Sequence, residues 1–497
     1  MPGRRQLCYS IYVLLLLVIA YLLNQLDRYT LGIVTKPMSR DLEYGDQACF
    51  RNSSLPSTVF KSAVCNATTE NTCDATTDFN GTKICAWDYN GQGFEYELLA
   101  GPIFIVVFTF VGIPISFVAD IYNRKNMLAI AVTFWSLMAG LTGFVTEYWQ
   151  LALLRFGLGA GEAGCTPFAT SLISDYFDVG VRASTLGVYN WGIYMGYSLS
   201  YAVGNFITKA DIMGLGWRWV WFMSAIPGLL LGPLIFFSVK EPVRGNQVKS
   251  QEPEVEESED EETEPLISPE PQLSWRDKAS MLGKVFLQPS ILLLCLGGSI
   301  RNAAGYVWAY NTQIYYEEMG EEPEDIGRWM SWVPLVGGSI SVVLGGFISD
   351  RIVKRVGPYA RLLVLIGSQL AAAPFVAGAL YLKPPAAYAI LIPGYIIGEM
   401  WVSVCLAVAV ELVPSTLTTS AVAIYLFIIT NIGGNMPLLV PPLKNAFMSA
   451  GFSPVDALRA ALYILYPGLY VLGGFFFFVT LLVLRRDLQR ARANVNV

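Results

Sequence analysis

The sequence predicts an all-α membrane protein of about twelve transmembrane helices arranged as two six-helix halves. Three observations carry this expectation. Of 497 residues, 54% are hydrophobic and only 14% charged, whereas soluble domains carry about a quarter charged. Apolar runs of the roughly 20 residues needed to cross a bilayer recur from end to end. One acidic tract separates these runs into two sets of equal number. An ordinary soluble globular protein is excluded.

The first expected span, 8–34, follows Arg4 and Arg5 and continues past Asn24 without a small-residue cleavage site, so it reads as a retained helix rather than a signal peptide. Basic residues ahead of it place the N-terminus in the cytoplasm. Further spans are expected at 98–119, 127–145, 150–174, 183–207 and 218–239. The second set covers 289–313, 326–349, 359–381, 387–410, 419–442 and 457–484. Arg485, Arg486, Arg490 and Arg492 after the last span ask for the same side as the N-terminus, which an even number of crossings satisfies. The expected units are an N-terminal half at 1–240, an acidic disordered cytoplasmic linker at 241–288, and a C-terminal half with a basic tail at 289–497. The linker is rich in Glu, Pro and Ser and has no apolar periodicity.

Between the first two spans lies a polar loop, 35–97, with three N-x-S/T acceptors at Asn52, Asn66 and Asn80. Such acceptors are useful only on the exoplasmic or lumenal side. Cys49, Cys65, Cys73 and Cys85 share the loop and form two disulfides in one of three connectivities. The other cysteines, Cys8, Cys165, Cys295 and Cys405, lie in or beside apolar runs. No CxxC or Cys/His spacing suggests zinc, and no metal or cofactor is expected.

Much of the net charge of −6 sits at 252–264, and no basic footprint for nucleic acid exists. Histidine is absent, which removes His triads, His metal sites and the usual proton switch near neutral pH. Any proton chemistry must use carboxylates. No nucleophile and base constellation marks an enzyme, so no catalytic residues are assigned. The GLGAGEAG run at 157–164 follows no strand and lies within a span, where its glycines permit close helix contact instead of cradling a dinucleotide.

A charge at mid-bilayer depth costs at least about 2.5–3.5 kcal/mol and is expected to face a cavity or a partner. Asp27 and Arg28 lie in span 1, Arg155 and Glu162 in span 4, Arg301 in span 7 and Glu399 in span 10. Gly161-Glu162 mirrors Gly398-Glu399. Glu162 and Asp27 are the candidate proton carriers, because desolvation and a movable arginine act oppositely on a carboxyl's affinity for its proton. Arg301 suits a phosphate or carboxylate through its planar fork. Arg28, Arg155, Glu399, Asn302 and Trp308 complete the expected substrate site. The alternative is that the charges only pair, Asp27 or Glu162 with Arg28 or Arg155, and Glu399 with Arg301. Aromatic residues gather near these groups, among them Tyr189, Tyr194, Tyr197, Tyr201, Tyr306, Tyr310 and Trp401; they offer a bed for a lipid tail or serve ordinary packing. Asn205, Asn311, Asn431 and Asn435 bond between helices or line the path.

Two short basic turns recur after the second span of each half. SFVADIYNRK at 116–125 and GGFISDRIVKR at 345–355 resemble the major facilitator superfamily signature G-x-x-x-D-R-x-G-R-K. Asp120, Arg124 and Lys125 match in the first copy, and Gly346, Asp350, Arg351 and Arg355 in the second; Ser116, Ile121 and Asn123 depart from it. The resemblance implies the major facilitator fold, a cytoplasmic gate built from these charges, and a central cavity lined by spans 1, 4, 7 and 10. NQLDRYT at 24–30, RFGLGAGEAG at 155–164 and SLISDYF at 171–177 resemble the Spinster family of lipid transporters. That resemblance implies functional roles for Asp27, Arg28 and Glu162. It also implies a lysophospholipid or sphingoid-type lipid as substrate, carried by alternating access, with proton coupling as the option that the buried carboxylates add.

A proton-coupled transporter of a small organic anion is the alternative that Arg301 and the asparagines suggest. A third is a non-transporting receptor or scaffold using the loop or linker. Gly187, Gly192, Gly196 and Gly204 do not form the Gly-Pro pattern of drug antiporters. In the linker, EETEPLI at 261–267 places Glu262 ahead of Leu266 and Ile267 at acidic-dileucine spacing, resembling a sorting signal for an adaptor. The expected location is the endolysosomal membrane, with the plasma membrane as alternative, and the expected state is a monomer.

Overall fold

The computed structural model describes residues 4–51, 65, 67, 69–75, 83–177, 179–242, 275–357, 359–413 and 418–495. The N-terminal half contains α1 (Arg4–Leu42), the strands β1 (Gln47–Arg51) and β2 (Cys85–Tyr89) with the short α2 (Glu70–Asp74) between them, α3 (Phe94–Ala100), α4 (Pro102–Ile121), α5 (Arg124–Thr142), α6 (Tyr148–Glu162), α7 (Cys165–Tyr176), α8 (Val179–Ala202) and α9 (Arg218–Ser238). After α10 (Trp275–Phe286) the C-terminal half contains α11 (Pro289–Glu318), α12 (Pro323–Met330), α13 (Val333–Val356), α14 (Ala360–Tyr381), α15 (Ala386–Gly398), α16 (Trp401–Glu411), α17 (Thr418–Gly434), α18 (Val440–Ser449), α19 (Pro454–Leu465) and α20 (Pro467–Val495). Several crossings are broken helices: α3 with α4, α6 with α7, α12 with α13, α15 with α16, α17 with α18, and α19 with α20. With the breaks joined, the crossings match the twelve expected spans. Among the described residues, 8 helices are long and apolar enough to cross a membrane by length and composition alone.

Several helices run past their expected ends, α13 to Val356, α18 to Ser449 and α20 to Val495 among them, and two differences have a visible cause. Helix α1 runs to Leu42, past the expected end at 34, because the strand hairpin holds it: Arg40 pairs with Asp88 of β2 at 3.0 Å. Lys36 and Arg40 both lie over the Phe50 ring of β1, at 4.9 and 4.8 Å. The C-terminal part of the expected disordered linker is the helix α10, anchored where Val285 is buried in the core beneath α11. Residues 243–274, with Glu262, Leu266 and Ile267, lie outside the described residues, as do Asn52, Asn66 and Asn80.

The loop's connectivity is Cys49–Cys73 and Cys65–Cys85. Strands β1 and β2 pair antiparallel with Cys49 opposite Trp87 and Arg51 opposite Cys85. Both bridges pack side by side in a small core with Ile84 and Trp87.

Close helix contact relies on glycine where backbones meet. At Gly196 of α8 a Cβ would lie 2.4 Å from the Leu22 carbonyl oxygen of α1, so only glycine lets α1 and α8 touch. Across the halves, a Cβ at Gly338 of α13 would lie 2.1 Å from the Tyr194 ring of α8.

The core is partitioned unequally. Toward the disulfide loop one apolar cluster runs through both halves and includes Leu31, Tyr96, Tyr201, Tyr310 and Tyr388. Toward the linker each half keeps its own core, one about Leu172 and Ile235, the other about Leu294 and Trp401. Polar ties across the halves follow the same pattern. At the loop end Lys36 pairs with Glu317 at 3.2 Å and Lys209 with Glu324 at 2.5 Å. Gln92 bonds Glu318 at 2.6 Å and Lys444 at 2.5 Å. A π-helical turn at Val203–Ile207 presents Asn205, whose amide exchanges hydrogen bonds of 2.9 and 3.2 Å with Gln313. Such single turns recur at functional sites. Thr109 accepts from Asn431 at 2.7 Å nearer mid-depth. The two halves are therefore welded at the loop end.

Paired charges at broken helices: the candidate substrate site

In each half the fourth crossing is interrupted next to a glutamate. Helix α6 ends at Glu162 and α7 resumes at Cys165; α15 ends at Gly398 and α16 resumes at Trp401, leaving Glu399 in the gap. A break inside a bilayer exposes backbone groups and is tolerated only where protein or a cavity satisfies them. The first helix of each half supplies an arginine to that break.

In the N-terminal half, Arg28 of α1 donates to Glu162 Oε2 through Nη2 at 3.1 Å and Nε at 3.4 Å. Both side chains are buried, 7% and 0% exposed respectively. The guanidinium lies over Phe108 and Phe104 of α4, at 4.5 and 5.1 Å from their centroids. Glu162 Oε1 has no hydrogen-bond partner. Arg155, about two helical turns before Glu162, is fully buried and donates from Nη2 to the Arg28 carbonyl at 3.4 Å, leaving Nε and Nη1 without a partner among the described residues. Asp27 is also fully buried; its carboxyl faces Ser224 and Arg155, and among the described residues neither oxygen makes a hydrogen bond of good geometry. Among the pairings left open by the sequence, the structure selects Arg28 with Glu162. Asp27 and Arg155 stand by as an unmatched acid and base. Unsatisfied buried charge of this kind costs several kcal/mol and marks a working site more readily than a structural one.

In the C-terminal half, Arg301 of α11 directs Nη2 at three oxygens: Glu399 Oε1 at 2.7 Å, the Gly398 carbonyl at 3.0 Å and the Tyr470 hydroxyl at 2.8 Å. The Gly398 carbonyl, freed by the helix break, also accepts from Gln369 at 3.2 Å. Tyr470 and Trp401 flank the guanidinium at 4.1 and 5.4 Å. Arg301 is 1% exposed and Glu399 17%, so the carboxylate is the charge turned toward open space. Sequence reasoning missed Tyr470 and Gln369, since a tyrosine in an apolar run and a glutamine in span 9 carry no pattern.

Two further expected site residues make packing contacts in the described conformation. Asn302, half-buried, donates to the Ile429 carbonyl at 3.0 Å and ties α11 to α17. Trp308 is 2% exposed and stacks on Tyr466 at 4.5 Å.

The first basic turn is placed at the linker end. Arg124 binds Asp175 of α7 at 2.6 Å and Glu241 at 2.7 Å, and its Nη1 donates to Ser171 Oγ at 2.8 Å. Lys125 donates through its backbone to Glu241 at 3.0 Å and through Nζ to the Phe236 carbonyl at 2.5 Å. These bonds stay inside the N-terminal half. In the second turn Arg355 is exposed, and the Arg351 guanidinium lies 5.8 Å over its neighbour Phe347. The side chains of Asp120 and Asp350 lie outside the described residues. Glu241 was not among the expected gate residues, and only the fold brings it to Arg124. At the opposite end a pocket of about 670 Å³ opens between α1 and the start of α12, lined by Lys36, Arg40, Asp41, Arg218, Glu317 and Glu321. Its basic residues are already engaged: Arg218 pairs with Asp41, Lys36 with Glu317 and Arg40 with Asp88.

Known proteins share this architecture and sequence. The chain is 26% identical to protein spinster homolog 1 of Xenopus tropicalis, an alignment covering 97% of this chain and 82% of that protein. It is 28% identical to the sphingosine-1-phosphate transporter SPNS2 of Danio rerio over 45% of this chain and 35% of that one. The crystal structure of a bacterial homolog of the human lysosomal transporter Spinster, inward-facing and unoccupied, superposes with a TM-score of 0.68 at 21% identity, covering 97% of each chain. The D-xylose-proton symporter superposes with a TM-score of 0.62 at 14% identity, over 95% of this chain and 97% of that one. Residues 17–436 match the profile of the Major Facilitator Superfamily. With two six-helix halves and paired charges at the matching breaks, the chain is a multi-pass transporter that belongs to the Major Facilitator Superfamily and resembles its Spinster proteins.

Proposed function

We propose that this protein carries a lysophospholipid or sphingoid-type lipid across the membrane by alternating access, coupled to protons through Glu162 and Asp27. The observation that carries the proposal is the Arg28–Glu162 pair, buried at a helix break beside a second buried acid, Asp27, that forms no ion pair among the described residues. An anionic head group that takes Arg28 displaces Glu162. A carboxylate left in that setting without its cation binds a proton. Substrate and proton are then bound together, and Arg155 offers its free Nε and Nη1 to the same group. The lipid class is supported by a relative named as a sphingosine-1-phosphate transporter, and by the aromatic walls of Tyr29, Tyr197 and Tyr310 beside Arg28.

On this reading the loop end faces the lumen or exterior and the linker end the cytoplasm, consistent with the basic termini and the disulfides. The described conformation is shut at the loop end. The Arg124–Asp175–Glu241 cluster, with Lys125, Asp120, Asp350, Arg351 and Arg355, forms the cytoplasmic gate when the halves rock the other way. An endolysosomal location follows from the adaptor pattern at Glu262, Leu266 and Ile267.

The test is proton flux into liposomes holding the purified protein. Lysophospholipid is expected to drive flux that Glu162→Gln abolishes. Flux driven by small carboxylates and not by the lipid would overturn the proposal.

A further inference from the structure

Glu97 is a buried carboxyl that neither arginine site uses. It lies in the middle of α3, is 1% exposed, and among the described residues forms no ion pair and leaves Oε2 without a hydrogen-bond partner. Its surroundings belong largely to the opposite half. Asn311 of α11 faces the carboxyl. The preceding residue, Tyr96, donates from its hydroxyl to the Tyr310 carbonyl of α11 at 2.6 Å. One turn on, a Cβ at Gly101 would lie 3.4 Å from the Gly434 carbonyl oxygen and 3.6 Å from Asn435 Oδ1. Helix α3 is thus seated directly on the seam that welds the halves at the loop end.

The charged and titratable groups around this seam do not neutralise Glu97. Tyr96 stands beside it on α3, and Tyr310 opposes it from α11. From α6, Tyr148 donates to the Glu95 carbonyl at 3.1 Å, and Arg155 lies nearer Tyr96 while bonded to the Arg28 carbonyl. Tyr44 after α1 bonds Thr35 at 3.1 Å. Lys444 of α18 gives its ammonium to Gln92 at 2.5 Å. The facing part of α4, Pro102 to Gly112, carries no charged residue.

We propose that Glu97 is a proton-binding site of the loop-end gate, neutral while the gate is shut and ionised when it opens. A carboxyl buried without a cation is accommodated as the neutral acid, since burying the anion costs far more than protonating it. Opening the gate parts α3 from α11 and α17, admits water to Glu97 and lets it ionise. Shutting the gate therefore takes up one proton from the loop-end solution. Acid favours the shut state, and the shut-to-open ratio changes by up to about tenfold per pH unit for one linked proton. The inference uses the alternating-access gate proposed above but neither its substrate nor its coupling residues.

The experiment is a distance measurement between spin labels on full-length protein in lipid nanodiscs, without substrate. Met213 and Phe452, both exposed at the loop end on different halves, are replaced by cysteine in a Cys8→Ser background. The label distance is expected to lengthen as pH rises from about 5 to 9. Glu97→Gln, which cannot ionise, is expected to hold the short distance throughout, and Glu97→Asp to restore the pH response. A Glu97→Gln protein that still responds, or a parent that does not, would overturn the proposal. Loss of lysophospholipid flux with the distance response intact would overturn the substrate assignment and leave Glu97 as the gate's proton site.

Discussion

Glu162 and Glu399 occupy the same station in the two halves. Each stands at the break of a fourth crossing and each is bound to an arginine from its half's first helix, Arg28 at 3.1 Å and Arg301 at 2.7 Å. The symmetry is imperfect in a useful way. Glu162 is sealed and keeps a free oxygen beside an unmatched Asp27, whereas Glu399 is partly exposed and its arginine is saturated by Tyr470 and the Gly398 carbonyl. On the proposed mechanism the first is the loose pair that exchanges partners, and the second serves as an anchor.

Removing one member of the loose pair leaves the other charge buried alone, which costs about 3–5 kcal/mol. Arg28→Ala is expected to lower the thermal unfolding temperature of purified protein markedly. Arg28→Met with Glu162→Leu is expected to recover most of that loss while remaining inactive. A single variant as stable as the parent would show that the pair does not hold in the membrane.

Arg301→Lys keeps the charge but loses the planar group that reaches three oxygens. Tyr470→Phe removes one acceptor, at about 1 kcal/mol. A double-mutant cycle on stability is expected to give a coupling of about 0.5–3 kcal/mol; additivity would mean the hydroxyl and guanidinium do not act together.

Gly196→Val drives a side chain into the Leu22 carbonyl, 2.4 Å from its Cβ, and is expected to cost at least about 1–3 kcal/mol. Gly187→Ala on the same helix meets nothing within 4 Å and is expected to be neutral or slightly stabilising. Melting curves of the two proteins decide the point.

Gln92 is bonded to Glu318 and Lys444 of the opposite half. Gln92→Leu leaves a buried ammonium without that partner, at about 1–3 kcal/mol, and is expected to loosen the loop end. Faster labelling of a cysteine placed at Asn311 would report it, and an unchanged rate would place the weld elsewhere.

Leu266→Ala with Ile267→Ala is expected to move the protein from endolysosomal membranes to the cell surface. Fluorescence microscopy of the tagged chain in cells reads this directly, and unchanged distribution would remove the adaptor signal.

Much of the site was legible because charge inside an apolar run is a local anomaly. Asp27, Arg28, Arg155, Glu162, Arg301 and Glu399 could be singled out from hydrophobicity alone, and the repeated Gly-Glu step already hinted at matching halves. Trp308 and Asn302 mark the limit of that signal: an aromatic or an amide in a span looks alike whether it faces a cavity or makes the contacts seen here with Tyr466 and with the Ile429 carbonyl of α17. Glu97 went unnoticed because it lies in a polar stretch, where nothing marks a glutamate as one the fold will bury.

The number of crossings, their grouping into halves and the helices that carry charge can all be read along the chain, because bilayer insertion is governed by the hydrophobicity of each segment. Only the packing of the helices settles which acid of the N-terminal half meets which arginine, how Cys49, Cys65, Cys73 and Cys85 pair, that Tyr470 and Glu241 complete distant clusters, and that the halves are joined at the loop end. Those outcomes depend on contacts between residues far apart in sequence, formed when helices pack around glycines such as Gly196. No local pattern encodes them.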